Sequence, residues 1–169
     1  MMDSFALNLA LRVAQDWATN NDPAYGRYFD LAPVDRQWLV QATESDLAEL
    51  ASLPSSILLV NIGTLSEENF TGFQTPSPAV STISQLLGAI ADDLRIRGRV
   101  AMIDWGITCA DKANWLATSK MKDRVRLAAQ GRVTFAARTS FSKIIVGAPD
   151  STVRIANLMR ILSGGRRGE

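Results

Sequence analysis

The chain has 169 residues, 47% of them apolar and 21% charged, with a net charge of +1. That is ample material for a buried core, which excludes a disordered chain, and no run approaches the roughly 18 apolar residues of a membrane-spanning helix. Histidine is absent and Cys109 is the single cysteine, so the commonest neutral-pH base, the commonest metal ligand and an internal disulfide framework are all excluded.

Leu9, Val13 and Trp17 keep helical spacing behind Asp3 or Ser4 as cap, which predicts a first helix over residues 4–19. Asp3 also stands where a signal peptide would need a basic residue, so the chain is expected to stay in the cytoplasm. Asn20-Asn21-Asp22-Pro23 ends the helix, and Tyr25, Tyr28 and Phe29 follow as an aromatic cluster suited to core packing. Ala32-Pro33-Val34-Asp35 opens a second helix whose buried side is expected to be Val34, Trp38 and Leu39. Thr43, three residues before Asp46, begins a third helix that carries Leu50 and stops at Pro54. Residues 56–62 are either a strand or a buried extended segment. A polar stretch holding Gly63, Gly72, Pro76 and Pro78 then reads as a linker, centred on residues 66–80.

Ser81 or Thr82 is expected to cap the next helix, on which Ile83, Leu86, Leu87, Ile90 and Leu94 share a face. A basic turn, Arg95-Ile96-Arg97-Gly98-Arg99, leads to Trp105-Gly106 and a helix over about residues 110–117 with Trp115 and Leu116 inward. A further helix over about 119–130 carries Leu127 and ends at Gly131, a residue suited to a left-handed terminus. Residues 132–145 alternate loosely, and Asp150 or Ser151 would cap a last apolar helix before a basic tail ending at Glu169.

The second half repeats the first. A shift of 77 residues places Trp115-Leu116 on Trp38-Leu39, Asp123 on Asp46 and Leu127-Ala128 on Leu50-Ala51, with Leu86, Ala91, Asp93 and Ala101 on Leu9, Ala14, Asp16 and Ala24. These nine identities fall over roughly 57 pairs, where chance would give about three or four. Charge has diverged over this shared framework: residues 1–90 hold three basic and ten acidic side chains, and residues 91–169 hold fifteen and seven. Such an asymmetry draws one end of a protein toward phosphates and keeps the other away.

The stretch AMIDWGITCADKANWLATSKMKDRVRLAAQGRVTFAAR resembles the central part of FlhD, the smaller subunit of the FlhD–FlhC flagellar master regulator. Shared features are an aromatic-Gly-Ile step, two successive helices ending in Leu-Ala, and an extended segment alternating apolar and basic residues. The first half runs in the same order from LALRVAQDW to ILLVNI. The resemblance implies a mainly α fold of two tandem FlhD-like units forming a pseudo-dimer, with short extended segments. Unit 1 would span residues 1–65 and unit 2 residues 81–147, with a C-terminal helix and basic tail at 148–169. It also implies a transcriptional activator subunit acting on promoter DNA with an FlhC-like partner that carries any metal, and leaves a homo-oligomer open.

Two classes of function remain. For DNA contact the candidates are Arg95, Arg97, Arg99, Lys120, Lys122, Arg124, Arg126, Arg132 and Arg138, because cations on a short helix after a tight turn can sit beside phosphates while one or two side chains reach bases. Each basic position is also compatible with a solvated surface. The alternative is an adaptor or antiactivator that binds another regulator and never meets DNA. Catalysis is not expected. Cys109 lacks a histidine partner, no phosphate-binding glycine loop is present, and the adjacent acids Asp92-Asp93 and Glu67-Glu68 point to different sides of a helix. No cofactor and no membrane partner are expected.

Overall fold

Ser4–Thr19 forms helix α1, and its Ala6, Leu7, Ala10, Leu11, Ala14 and Trp17 are all buried, as one face of a helix against a core requires. The computed structural model describes residues 4–53, 55–64 and 75–145. After α1 come α2 (Pro23–Tyr28), strand β1 (Phe29–Asp30), α3 (Pro33–Gln41), α4 (Glu44–Ala51) and strand β2 (Leu58–Ile62). The second half follows as α5 (Pro78–Arg97), α6 (Arg99–Asp104), α7 (Ala110–Thr118), α8 (Met121–Ala129), strand β3 (Val133–Ala137) and α9 (Phe141–Ile145). Among the described residues the fold is mainly helical with one small three-stranded sheet. The last helix expected from the sequence, after residue 150, lies outside the described residues.

Element boundaries follow the sequence repeat. Pro33–Gln41 and Ala110–Thr118 are offset by 77 residues at both ends, and α4 and α8 begin at Glu44 and Met121 with the same offset. After these helices the offset falls to 75, because the first half spends two more residues between Leu50 and its strand than the second half spends after Leu127.

The sheet joins the two halves. Its order is β1-β3-β2, with β3 parallel to β1 and antiparallel to β2, and Val60 faces Phe135 at the centre of the antiparallel ladder. That ladder is symmetric about its centre. The Gly63 amide donates to the Arg132 carbonyl at 2.6 Å, and the Arg138 amide donates to the Ile57 carbonyl at 2.8 Å. Each of these bonds maps onto the other by the 75-residue shift. On the outer side of β2, the Val60 amide donates to the Trp105 carbonyl at 2.9 Å, at the place matching β1 beside β3.

One apolar cluster draws on both halves, with Trp105, Tyr28, Phe135 and Phe141 its largest fully buried side chains. Trp17 packs on Tyr28 and Phe29 at ring distances of 6.0 and 5.9 Å, and Phe29 stacks on Phe135 at 5.3 Å. Leu39, Leu50, Leu116 and Leu127 are buried as expected. Three expectations need correction. Trp38 and Trp115 are only partly buried, because neighbouring helix positions lie about 100° apart and the leucine after each tryptophan takes the inward direction. Val34 is exposed rather than buried, and α5 starts at Pro78 with Ser77 as its cap, one turn before Ser81.

Candidate nucleic-acid interface

Helix α8 is built to the same plan as α4 with a different surface. In α4, Thr43 and Asp46 form a reciprocal cap: the Thr43 amide donates to the Asp46 carboxylate at 2.8 Å, and the Asp46 amide donates to the Thr43 hydroxyl at 3.2 Å. At α8 only half of this survives. The Lys120 amide donates to the Asp123 carboxylate at 3.2 Å, while an ammonium cannot return the favour to an amide. Lys120 and Lys122 are exposed at this helix start, where the first half has Thr43 and Ser45. Cations at the positive end of a helix dipole work against stability by a few tenths of a kcal/mol or more. An anion arriving there would relieve that repulsion.

Further along α8, Arg124 and Arg126 are half-buried, and Arg132 just beyond the helix is exposed. The far end of α8 is secured from the first half of the chain. Arg27 donates to the Ala129 carbonyl at 2.5 Å and the Tyr28 hydroxyl to the Ala128 carbonyl at 2.8 Å, so donors meet the carbonyls that a helix leaves unpaired at its end. Burial raises the Tyr28 phenol above its ordinary value, with the Arg27 charge partly opposing the shift.

The expected basic turn at residues 95–99 takes another form. Helix α5 continues through Arg97, Gly98 breaks it with a positive φ of 54°, and α6 starts at Arg99. Arg99 is exposed, while Arg95 points outward to pair with Asp92 at 2.7 Å. Arg97 turns inward, which corrects its expected place among the cations offered to DNA. It bonds both oxygens of Asp93 and one oxygen of Asp104, all at 2.6 Å, and its side chain is 14% exposed. The Trp105 indole N–H donates to the same Asp93 at 2.8 Å. The hydrogen bonds that Arg97 donates to Asp93 push its pKa further up, outweighing its burial.

Arg138 is likewise structural: its guanidinium caps α6 by donating to the carbonyls of Ile103 at 3.1 Å and Asp104 at 2.6 Å. Burial lowers its pKa, with the charge of Asp104 opposing. Arg124 donates to the Ser119 carbonyl at 2.7 Å and lies along α5. Of the nine basic candidates, Arg99, Lys120, Lys122 and Arg132 therefore present their charge most openly.

Sequence reading missed the network around Asp93. Its signal was present, since Asp93 and Arg97 stand four apart with Ile90 and Leu94 on the buried face, but Asp104 comes from another helix. A second feature it missed is a set of exposed large apolar side chains on either side of the α5–α6 break: Ile96 is 79% exposed, Val100 58% and Ile103 50%.

Cys109 is an exposed thiol at the start of α7. Among the described residues no group of three or more cysteine, aspartate or glutamate side chains is placed to hold a metal ion, and no helix is long and apolar enough to cross a membrane. No family model, curated protein or solved structure matches the chain.

Proposed function

We propose that this chain is a DNA-binding regulatory subunit made of two FlhD-like units in one polypeptide, a covalent pseudo-dimer that activates transcription together with an FlhC-like partner. The observation that carries the reading is the contrast between α8 and α4. The same cap position, helix start and buried leucine are kept, while Thr43, Ser45 and Glu49 are exchanged for Lys120, Lys122 and Arg126. The β2–β3 ladder, symmetric about Val60 and Phe135, supports the pseudo-dimer part. In this reading Lys120 and Lys122 meet the DNA backbone, with Arg132 and Arg99 extending the basic surface. Backbone contacts of this kind give affinity and position, and base specificity comes from the complex as a whole.

The test is fluorescence anisotropy on a labelled duplex over a salt series, with wild type and the double variant Lys120→Glu, Lys122→Glu. Binding should weaken by about tenfold or more, and the dependence of affinity on salt should become shallower by about one unit for each lost phosphate contact. A wild-type protein that shows no salt-dependent association with DNA, alone or with its partner, would overturn the reading.

One observation favours the second reading, a non-DNA-binding adaptor that docks on another regulator. Ile96, Val100 and Ile103 keep three large apolar side chains in water around the α5–α6 break, and the equivalent first-half positions are Thr19, Pro23 and Gly26. If the adaptor reading holds, the wild type shows no DNA association and Ile96→Asp with Val100→Asp abolishes partner capture.

A further inference from the structure

Among the described residues the two halves differ at one apolar groove, which is filled in the first and open in the second. In the first half, α9 lies against α3. Phe141 is fully buried and packs edge-on against Trp38 at 5.6 Å, and the buried Asp35 accepts from the Ser140 hydroxyl and the Phe141 amide, both at 2.9 Å. Trp38 and Asp35 thus receive an aromatic residue at the start of a short helix.

Their counterparts 77 residues later are Trp115 and Lys112, and here a cavity of about 280 Å³ remains. Ile62, Gly63 and Thr64 line it together with Asp111, Lys112, Trp115 and Leu127. The correspondence holds residue by residue: Leu127 matches Leu50, and Gly63 and Thr64 match Arg138 and Thr139 just before α9. An apolar cavity of about 150 Å³ already accepts a benzene ring, so this one has room for an aromatic side chain and part of its backbone.

Charge decides what kind of segment fits. Asp35 supplies a carboxylate to the arriving backbone amides, whereas Lys112 supplies only donors. Its ammonium gives one bond to the Ile62 carbonyl at 2.6 Å, and two N–H groups remain for an incoming acceptor. Arg132 stands beside Gly63 and is exposed, adding a second cation at the rim against the single carboxylate of Asp111. We infer that the cavity beside Trp115 is a docking site for an acidic peptide segment of a partner protein. The segment inserts one aromatic side chain against Trp115 and sets a carboxylate on Lys112. Only Arg132 is shared with the proposed DNA surface, and Trp115, Lys112 and Thr64 lie outside it, so variants at Trp115 and Thr64 test this site apart from DNA binding.

The probe is a fluorescein-labelled acidic peptide bearing a single Phe, compared with its Phe→Ala form and with a form in which the glutamates are lysines. Wild-type protein should bind the first and hold the other two at least about tenfold more weakly, a difference near 1.4 kcal/mol. Trp115→Ala should lose the peptide. Because that change also touches packing, Thr64→Trp serves as the second variant: it fills the exposed rim, and a folded Thr64→Trp protein should lose the peptide too.

Failure of the wild type to bind, or equal binding to all three peptides or to Thr64→Trp, overturns the inference. So does a dimer that dissociates in Thr64→Trp, which would make a second copy the occupant. Serine at Leu65, Phe70 and Phe73 tests the chain itself. Peptide binding that emerges only in that variant overturns the inference in favour of an internal occupant.

Discussion

The Arg124 guanidinium lies along helix α5 at Gly88, 3.6 Å from where a Cβ on that glycine would stand. In the first half the same two positions are Leu11 and Leu47, both buried between α1 and α4. A pair of leucines has been exchanged for a glycine and a long basic side chain. The guanidinium of the arginine takes the space the glycine leaves, and its Nη1 donates to the Ser119 carbonyl.

The exchange is therefore predicted to be coupled. Gly88→Leu alone crowds Arg124, although removing glycine from a helix interior is worth about 1 kcal/mol. Arg124→Leu alone leaves a void beside Gly88. The double variant should be more stable than the sum of the single changes by about 0.5–3 kcal/mol, read from urea denaturation of all four proteins. Additive effects would show that the two positions do not share one space.

Arg97 stands between two carboxylates, and Asp93 is 1% exposed. Arg97→Met should cost about 3 kcal/mol, because it leaves Asp93 buried with only the Trp105 indole N–H for company. Adding Asp93→Asn should restore part of the loss by removing the stranded charge. If Arg97→Met leaves the urea midpoint unchanged, the network is not a stabilising element.

The Tyr28 hydroxyl donates to Ala128, and burial holds its pKa above the ordinary 10.0. An unfolded tyrosine ionises first as pH rises through 10, so its contribution is complete below that pH and is lost as pH climbs through the higher folded value. Wild-type stability should fall more steeply above pH 10 than that of Tyr28→Phe. Near neutral pH the variant should itself be about 1 kcal/mol less stable, since the Ala128 carbonyl loses its donor. Parallel slopes above pH 10 would dissociate Tyr28 from the effect.

The tryptophans should separate by burial. Trp105 is fully buried and bonded through its indole to Asp93, so Trp105→Ala should cost at least about 3–5 kcal/mol. Trp115→Ala, at a partly buried position lining an open cavity, should cost clearly less. Equal losses in thermal or urea unfolding would mean that the cavity is closed in solution.

Local chemistry made much of this fold legible. Pro33, Thr43 and Gly131 marked helix starts and an end where the structure has them, and the 77-residue repeat anticipated the matching bounds of α3 and α7. What escaped was the direction a side chain takes once helices pack. Arg95, Arg97 and Arg99 look alike in sequence, yet they respectively pair outward with Asp92, close a buried network and stay in solvent. The partners of Arg97 and Arg138 lie partly on another helix, and Arg124 finds its space only because Gly88 stands opposite. No pattern within one helix contains that information.

The middle strand of the sheet is the last of the three to be synthesised. β1 and β2 each take their ladder partners from β3, more than 70 residues downstream of β2, so neither can zip up while the nascent chain still lacks Val133–Ala137. Closing so long a loop is slow, and until it closes β2 offers the row Leu58, Val60 and Ile62 as an unpaired edge. Release of the first half from the ribosome therefore precedes any finished sheet. The vulnerable interval for this protein is the time needed to translate α5 to α8, when its first half is open to holdase chaperones and to other chains with a bare strand.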